Sequence, residues 1–229
     1  EFTRPIWEYL DSAVSQERIA NGRQHAERKR ALLESIQARH GVDYPVVLAI
    51  WGLESAYGAN FGDIPVIQSM ATLAYEGRRR DFAEQQLLAA LRILQAGDIA
   101  PGRLVGSWAG AMGLLQLMPG TAREVNVGNP LNPEENVAGA VRYLQFLEDH
   151  WRDKIADETE RRKFILASYN AGFGHVADAR RLTEKYGGDS QQWDDVAYWM
   201  LQKSKARYYN DPVVKYGFCR GLEPVTYVS

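Results

Sequence analysis

Cysteine and histidine are scarce in this chain of 229 residues. Its single cysteine, Cys219, has no second cysteine with which to form an internal disulfide or a cysteine-ligated metal centre. Its four histidines are scattered and show no metal-ligand spacing such as HExxH. We therefore expect no disulfide, no bound metal and no cofactor.

The chain also lacks an excess of charge and a long apolar run. Lys and Arg number 27 against 29 Asp and Glu, a net charge of -2, so no net field attracts a nucleic acid. The longest apolar stretch, residues 46–53, is far shorter than the ~20 residues of a membrane span. We expect neither nucleic-acid binding nor a membrane span. Since the sequence opens abruptly at Glu1, it carries no information about an export signal or a lipid anchor.

Helical patterns recur along the whole chain, whereas alternating strand patterns are nearly absent. The fold class is therefore predicted to be mainly α, with little or no β-structure. The length suits one sizeable core, and no linker or repeat marks a boundary. We expect a single domain over residues 1–229, with the helices of about residues 1–44 packed on the rest.

Several helices can be placed in the first half of the chain. A short helix is predicted through Ile6 and Leu10, and a longer one over residues 15–39 with Gly41 as its stop. The helix over residues 45–55 is apolar nearly all round, which is typical of a helix enclosed by others.

The next predicted helix begins at a capping box formed by Asp81 and Glu84 and ends at Gly97. Four leucines are spaced as one inward-facing stripe on it: Leu87, Leu88, Leu91 and Leu94.

Three more helices are predicted in the second half. Asn132 is a natural N-cap, with Pro133 in the first turn and Glu135 completing a capping box. Two further helices are predicted over about residues 158–169 and 175–186.

Glu54 stands at the end of the apolar run in "AIWGLESAYG". Burial beside apolar side chains and a place late in its helix both disfavour the charged carboxylate, so we expect a raised pKa. A carboxyl that stays protonated is what a glycosidase needs to protonate a departing sugar oxygen. The same surroundings also suit a structural acid paired with an arginine, and the residues alone leave both readings open.

Two other segments combine small residues with hydrogen-bonding groups. Residues 106–122, "GSWAGAMGLLQLMPGTA", have the composition of a binding-groove wall or of a tightly packed turn. In "ASYNAGFGH", Tyr169 either points its hydroxyl into a cleft or lies in the core.

Together these segments resemble the lytic transglycosylases of bacterial cell walls, which share a lysozyme-like fold. Residues 1–113, with "AIWGLESAYG", "ATLAYEGRRRDF" and "GSWAGAMG", resemble the membrane-bound lytic transglycosylase B branch. Residues 114–229, with "GLLQLMPGTAREVNVGNPLNPEENVAGAVRYL" and "SYNAGFGHVADARRL", are similar to the soluble and F-type branch. Because the likeness changes branch near Gly113, we hypothesise a composite, engineered chain.

The resemblance implies a role for each matching residue. Glu54 is the sole catalytic acid and base. The implied substrate-binding residues are Ser55, Ser107, Gln116, Met118, Tyr169, Asn170, Glu223 and Tyr227. An exposed tail is the alternative for the last two. B-type relatives often carry an acidic calcium loop after "AMG", and none occurs here, so no calcium is expected.

The resemblance also implies the reaction and its setting. The expected substrate is the β-1,4 bond between N-acetylmuramic acid and N-acetylglucosamine in peptidoglycan glycan strands, cleaved to a 1,6-anhydromuramoyl product. A hydrolytic muramidase of the same fold and a weakly active or non-catalytic peptidoglycan-binding domain are the alternatives. We expect a monomer in the bacterial periplasm or cell envelope.

Overall fold

The computed structural model of the chain describes residues 13–77 and 79–229, so the helix predicted through Ile6 and Leu10 lies outside the described residues. Within them the chain divides into two compact units, residues 13–143 and residues 144–229, called here the N-terminal and C-terminal units. None of the described helices is long and apolar enough to cross a lipid bilayer. The predicted single domain stays a prediction.

The N-terminal unit is mainly helical. Its helices are α1 (Gln16–Arg28), α2 (Arg30–His40), α3 (Tyr44–Ser55), α4 (Val66–Glu76), α5 (Arg80–Ala96), α6 (Pro119–Glu124) and the first part of α7 (Pro133–Arg152). The two-residue strands β1 (Ile64–Pro65) and β2 (Val105–Gly106) pair antiparallel, with Ile64 opposite Gly106, and a 3-10 turn at Pro101–Arg103 precedes β2. The prediction of mainly α structure with little β is therefore confirmed.

The predicted helix over residues 15–39 is interrupted. Ser15 caps α1, since its side chain accepts a hydrogen bond from the amide of Arg18. At Lys29 the backbone leaves the helical region, with φ -113° and ψ 14°, and α2 begins at the next residue. Gly41 ends α2 in the left-handed conformation, as predicted, with φ 66°.

The inward face of α5 differs from the predicted one. Leu88 and Leu91 are 56% and 45% exposed, whereas Ala83 and Ala90 are fully buried. Small side chains let α5 pack closely against α4 and α6. The buried residues of α5 are Ala83, Ala89, Ala90 and Ile93, whereas Leu87 and Leu94 are half-buried. The predicted capping box was also wrong, because α5 begins one residue earlier, after Arg79, with no side-chain cap.

The start of α7 follows the prediction at its cap. The Asn132 side-chain oxygen accepts hydrogen bonds from the amides of Glu134 and Glu135, at 3.0 and 3.1 Å. The Glu135 carboxylate turns instead toward the preceding loop, where it accepts from the amides of Gly128 and Asn129. Asn132 therefore caps the helix, while Glu135 fixes the loop before it.

The C-terminal unit contains the end of α7 and five further helices. These are α8 (Glu158–Ala171), α9 (Phe173–Lys185), α10 (Trp193–Gln202), α11 (Ala206–Tyr209) and α12 (Leu222–Val228). The two helices predicted over about residues 158–169 and 175–186 are confirmed as α8 and α9. Both α9 and α12 pack on α8, and α10 packs on α9.

A buried ion pair fastens the last long loop to this unit. Asp178 of α9 and Lys203, which follows α10, both have fully buried side chains, and their charged atoms are 2.8 Å apart. The Asp178 carboxylate also accepts from the amides of Lys215 and Tyr216, at 2.8 and 2.9 Å, and from Arg181. One carboxylate thus joins two helices and the loop that precedes α12.

A substitution at Gly62 tests how tightly the loop after α3 is packed against β2. Its φ is +88°, and an added Cβ would lie 2.2 Å from the Gly106 carbonyl carbon and oxygen. Overpacking adds to the strain of a left-handed alanine, so Gly62→Ala is expected to lower the free energy of unfolding by about 1–3 kcal/mol or more. Chemical denaturation measures the change.

Gly77→Ala is the matched control for this prediction. Gly77 has a similar φ of +81° but nothing within 4 Å of an added Cβ, so it reports the conformational strain alone. Equal destabilisation of the two variants would contradict the close approach at Gly106.

Candidate functional site

Glu54 is the second-to-last residue of α3 and is half-buried. The helix packs on α1 and α2 through a buried face that includes Val47, Ile50 and Trp51. Pro45 and Ala49 on the same helix are exposed, so α3 is not enclosed on all sides as its composition predicted. A helix with one open side can hold a carboxyl beside apolar side chains and still present it to a ligand.

The backbone turns sharply directly after Glu54. Ala56, Tyr57 and Gly58 all have positive φ, at 48°, 58° and 91°. The Ser55 carbonyl accepts from the amides of Gly58 and Asn60, which closes the turn. Left-handed residues other than glycine cost roughly 1–3 kcal/mol each and tend to cluster at functional sites. The end of α3 is therefore held in a strained conformation beside the candidate carboxyl.

An aromatic cluster holds this turn in place. The ring of Tyr57 stacks on His25 with centroids 4.9 Å apart and meets Trp51 edge-on at 5.8 Å. Gly22 and Gly52 leave room for the Tyr57 hydroxyl, since an added Cβ would lie 2.5 and 2.6 Å from it. Burial, followed by the charges of nearby basic residues, lowers the pKa of His25. A neutral imidazole suits this stacked position.

Ser55 ties α3 to a neighbouring hairpin. Its side chain is buried, and its hydroxyl donates to the Leu114 carbonyl at 2.6 Å and accepts from the Gly58 amide at 3.0 Å. The hydroxyl therefore joins the residue next to Glu54 to the tip of the segment that the sequence identified as a candidate groove wall.

That hairpin spans residues 112–117. Met112 and Leu117 exchange two backbone hydrogen bonds of 2.9 and 3.0 Å. Gln116 lies within the turn with φ 51°, and its amide nitrogen donates to the carbonyls of Gly113 and Phe61, at 2.9 and 3.1 Å. These two bonds use only the nitrogen of the Gln116 amide, and they fix the direction of its oxygen.

Asn136 anchors the hairpin and was missed by the sequence reasoning. Its fully buried side chain accepts from the amide of Leu115 and donates to the carbonyls of Met112 and Pro130, at 2.8–3.0 Å. Gly113 permits this approach, because an added Cβ would lie 2.4 Å from the Asn136 side-chain nitrogen. Only its burial inside α7 distinguishes this asparagine, and the sequence carried no signal for it.

Ser107 lies at the start of the same segment. Its hydroxyl accepts from the amide of Ala111 at 3.1 Å, and its carbonyl accepts from the Ser69 hydroxyl at 3.4 Å. The next residue, Trp108, is 70% exposed, although a tryptophan usually buries most of its surface. Met118 lies directly before α6 and is half-buried.

The other four predicted site residues lie in the C-terminal unit. Tyr169 and Asn170 are half-buried near the end of α8. Glu223 and Tyr227 lie four residues apart on α12, which packs on α8, so this segment is a docked helix and not the exposed tail that was the alternative. Glu223 is exposed and Tyr227 half-buried.

Among residues 13–77 and 79–229, no three metal-ligating side chains come together as a metal site would require. The absence of calcium and of any cofactor stays a prediction.

The chain matches known families over most of its length. Two family models, each described as the transglycosylase SLT domain, match it over residues 1–137 and residues 103–192. Membrane-bound lytic murein transglycosylase F of Aliivibrio fischeri is 43% identical over 126 residues, which are 55% of this chain and 25% of that protein.

Solved structures show the same likeness. SltB3 from Pseudomonas aeruginosa, in complex with NAG-NAM-pentapeptide, is 43% identical with a TM-score of 0.60, over 64% of this chain and 41% of that chain. SltB1 from Pseudomonas aeruginosa, a soluble lytic transglycosylase, is 26% identical with a TM-score of 0.59, over 71% and 58% of the two chains. These structures confirm the predicted lysozyme-like fold. The chain spans about a quarter of the length of the first curated relative.

Proposed function

Because the chain belongs to the transglycosylase SLT domain family, we propose that it is a lytic transglycosylase that cleaves the β-1,4 bond between N-acetylmuramic acid and N-acetylglucosamine in peptidoglycan. The observation that best supports the proposal is the position of Glu54. It is half-buried at the end of a largely apolar helix, beside a strained turn that aromatic packing and the Ser55 hydrogen bonds hold in place.

In the proposed first step, the Glu54 carboxyl donates its proton to the glycosidic oxygen as the bond to the anomeric carbon breaks. The N-acetyl group of the substrate assists at the anomeric carbon, so no second carboxylate is needed there. This distinguishes the reaction from that of ordinary glycosidases, which use two carboxyl groups.

In the second step, the Glu54 carboxylate acts as the base. It removes the proton from the 6-hydroxyl of the muramoyl residue, and that oxygen closes on the anomeric carbon to give the 1,6-anhydro ring. The proton lost in the first step is thereby restored, and no water is consumed.

We propose different tasks for the predicted site residues of the N-terminal unit. We assign Ser55 to positioning, because its hydroxyl is buried and already engaged on both sides. Gln116 is assigned to sugar binding, since its held amide directs its oxygen. Ser107 and Met118, both half-buried, are proposed to line the sugar site.

Four residues of the C-terminal unit are also proposed to bind the substrate, as the family resemblance implies. Two of them are Tyr169 and Asn170, which lie near the end of α8. The other two are Glu223 and Tyr227, which lie four residues apart on α12.

Mass spectrometry of digested sacculi tests this function. A transglycosylase releases anhydromuropeptides, which are ~18 Da lighter than hydrolysed products because no water is added. A hydrolytic muramidase would release reducing ends instead, and a non-catalytic binding module would release nothing. Either result would overturn the proposal.

Trp108 is a further residue to test. A tryptophan exposed next to Ser107 offers a face on which a sugar ring can stack, so Trp108→Ala is expected to raise KM for glycan strands by roughly 2- to 12-fold. The exposed position predicts little loss of stability. Tyr75→Ala, at a tyrosine that is 88% exposed on α4, is the control and should leave KM unchanged. Equal KM values for the two variants would contradict the stacking role.

The origin of the chain is also proposed. The proposal of a composite, engineered chain joined near Gly113 rests on the change of resemblance in the sequence; the two family models overlap across this point, over residues 103–137. Asn136 bonds to Met112 and to Leu115, so the proposed junction is enclosed in a complete hydrogen-bond network. One natural family that carries both halves contiguously would refute this.

The proposed setting follows from the substrate. Peptidoglycan glycan strands are the partner, the enzyme is a lyase of the bacterial periplasm or cell envelope, and it acts as a monomer and a single domain.

A further inference from the structure

A pocket of about 260 Å³ in the C-terminal unit carries an excess of positive charge. Its charged lining consists of Lys154, Arg180, Arg181 and Lys215 with one carboxylate, Glu184. It contains none of the residues assigned to the cleavage of glycan. Four cations with one acid at a small pocket need an explanation, because surface charges are usually mixed in sign.

Aromatic rings form the other walls. The buried Trp151 lies under two of the cations, with the Arg180 guanidinium carbon and the Lys154 Nζ each 5.8 Å from its ring centroid. Phe173 lies 4.8 Å from the His150 ring. On another side Tyr216 packs on Gly174, where an added Cβ would lie 2.6 Å from its ring, yet 55% of Tyr216 is exposed. The lining therefore offers aromatic surface to a flat or apolar group.

Hydrogen bonds within the protein fix the orientation of the guanidinium groups of Arg180 and Arg181. The Nε atom of Arg180 donates to the Ser190 carbonyl at 2.8 Å, and its Nη2 donates to the Ser190 hydroxyl at 3.2 Å. The Nε atom of Arg181 donates to the Val213 carbonyl at 2.8 Å, and its Nη2 pairs with Asp178. Among the described residues, neither Nη1 group has a hydrogen-bond acceptor. Each guanidinium thus keeps one NH2 group for a ligand.

Lys215, Glu184 and His150 also line the pocket. Lys215 is exposed, and no side-chain partner is found for its ammonium within the described part of the chain. Glu184 accepts from the Ser190 hydroxyl and lies 3.6 Å from Arg180. Burial, followed by the charges of Lys154 and Arg180, lowers the pKa of His150. The pocket therefore opposes a further positive charge.

We propose that this pocket binds a small organic anion in which one carboxylate is carried on a flat or apolar body. The carboxylate pairs with Lys215 and with the Nη1 groups of Arg180 and Arg181, and the body lies against the aromatic walls. Glu184 disfavours a more highly charged group such as a phosphate dianion. The volume is just below the ~300 Å³ at which pockets for drug-sized molecules begin, which suits a small ligand.

Isothermal titration calorimetry with three probes measures how much the negative charge and the apolar group of the ligand each contribute to affinity. N-acetylphenylalanine carries both, N-acetylphenylalaninamide carries the body alone, and inorganic phosphate carries charge alone. We expect the carboxylate to bind about tenfold or more tightly than either other probe, as a charge-assisted hydrogen bond is worth about 1.5–3 kcal/mol. Equal binding of the amide or of phosphate, or no binding of the carboxylate, would overturn the proposal.

Variants locate the binding. Lys215→Met removes one exposed charge and is expected to weaken N-acetylphenylalanine about three- to fivefold, with recovery in Lys215→Arg. Lys205→Met, in the same unit but outside the pocket, is the matched control and should leave the affinity unchanged. An unaltered affinity in Lys215→Met would assign the binding to another surface and contradict the proposal.

Discussion

Glu54→Gln is expected to lower kcat for the release of anhydromuropeptides by about 10²- to 10⁴-fold, because one carboxyl supplies both the acid and the base of the proposed reaction. Glutamine preserves the size of the side chain but can neither donate the proton to the glycosidic oxygen nor remove it from the 6-hydroxyl. Binding of glycan strands should be retained, since the neighbouring residues are unchanged. Turnover is measured by chromatography of digested sacculi, and binding by co-sedimentation with them.

Glu76→Gln is the matched control, at an exposed glutamate that ends α4. It should leave both turnover and binding unchanged. Retained turnover in Glu54→Gln would show that another group performs the acid-base chemistry. Loss of binding together with turnover would point to a structural role for Glu54, the reading that its apolar surroundings also allow.

Asp178→Asn is expected to destabilise the protein by about 3–5 kcal/mol, because it leaves the buried ammonium of Lys203 without its counter-charge. The amides of Lys215 and Tyr216 also lose a charged acceptor. Urea denaturation measures the free energy of unfolding. Asp153→Asn, at an exposed aspartate outside this cluster, is the control and should change it by less than about 0.5 kcal/mol.

The ion pair of Asp178 and Lys203 also predicts that the free energy of unfolding depends on pH. Burial alone would raise the pKa of Asp178, but the Lys203 ammonium and the two loop amides outweigh it and hold the pKa below the ordinary 3.8. A lowered pKa in the folded state stabilises the protein above the unfolded value, and this stability is lost as the pH falls below it. The difference between wild type and Asp178→Asn should therefore shrink between pH 7 and about pH 3. A constant difference over that range would contradict the assignment.

Local sequence signals predicted the helices well where a single residue decides a boundary. Asn132 caps α7 and Gly41 ends α2, because capping depends on the residue itself and its immediate neighbours. The stripe on α5 failed for the opposite reason. Leu88 and Leu91 have the spacing of a core face, but the helices that pack on α5 need the small side chain of Ala90.

The candidate site likewise contains residues that the sequence identified and residues that it did not. Glu54 was identifiable because an acid after an apolar run is unusual. The residues that hold the neighbouring hairpin were not identifiable, since Asn136 bonds to Leu115 from 21 residues farther along the chain. The hydrogen-bond network around Gly113 depends on tertiary contacts, so it could not be predicted from the sequence. Trp108 lacked a signal because exposure of a tryptophan is a property of the folded chain.

Digestion of sacculi in water enriched in oxygen-18 tests the central claim most directly. In the proposed reaction the muramoyl 6-hydroxyl, and not water, attacks the anomeric carbon, so the released anhydromuropeptides should carry no oxygen-18. Mass spectrometry of the products would contradict the account if each new chain end were about 2 Da heavier than in ordinary water, since hydrolysis places one water oxygen there.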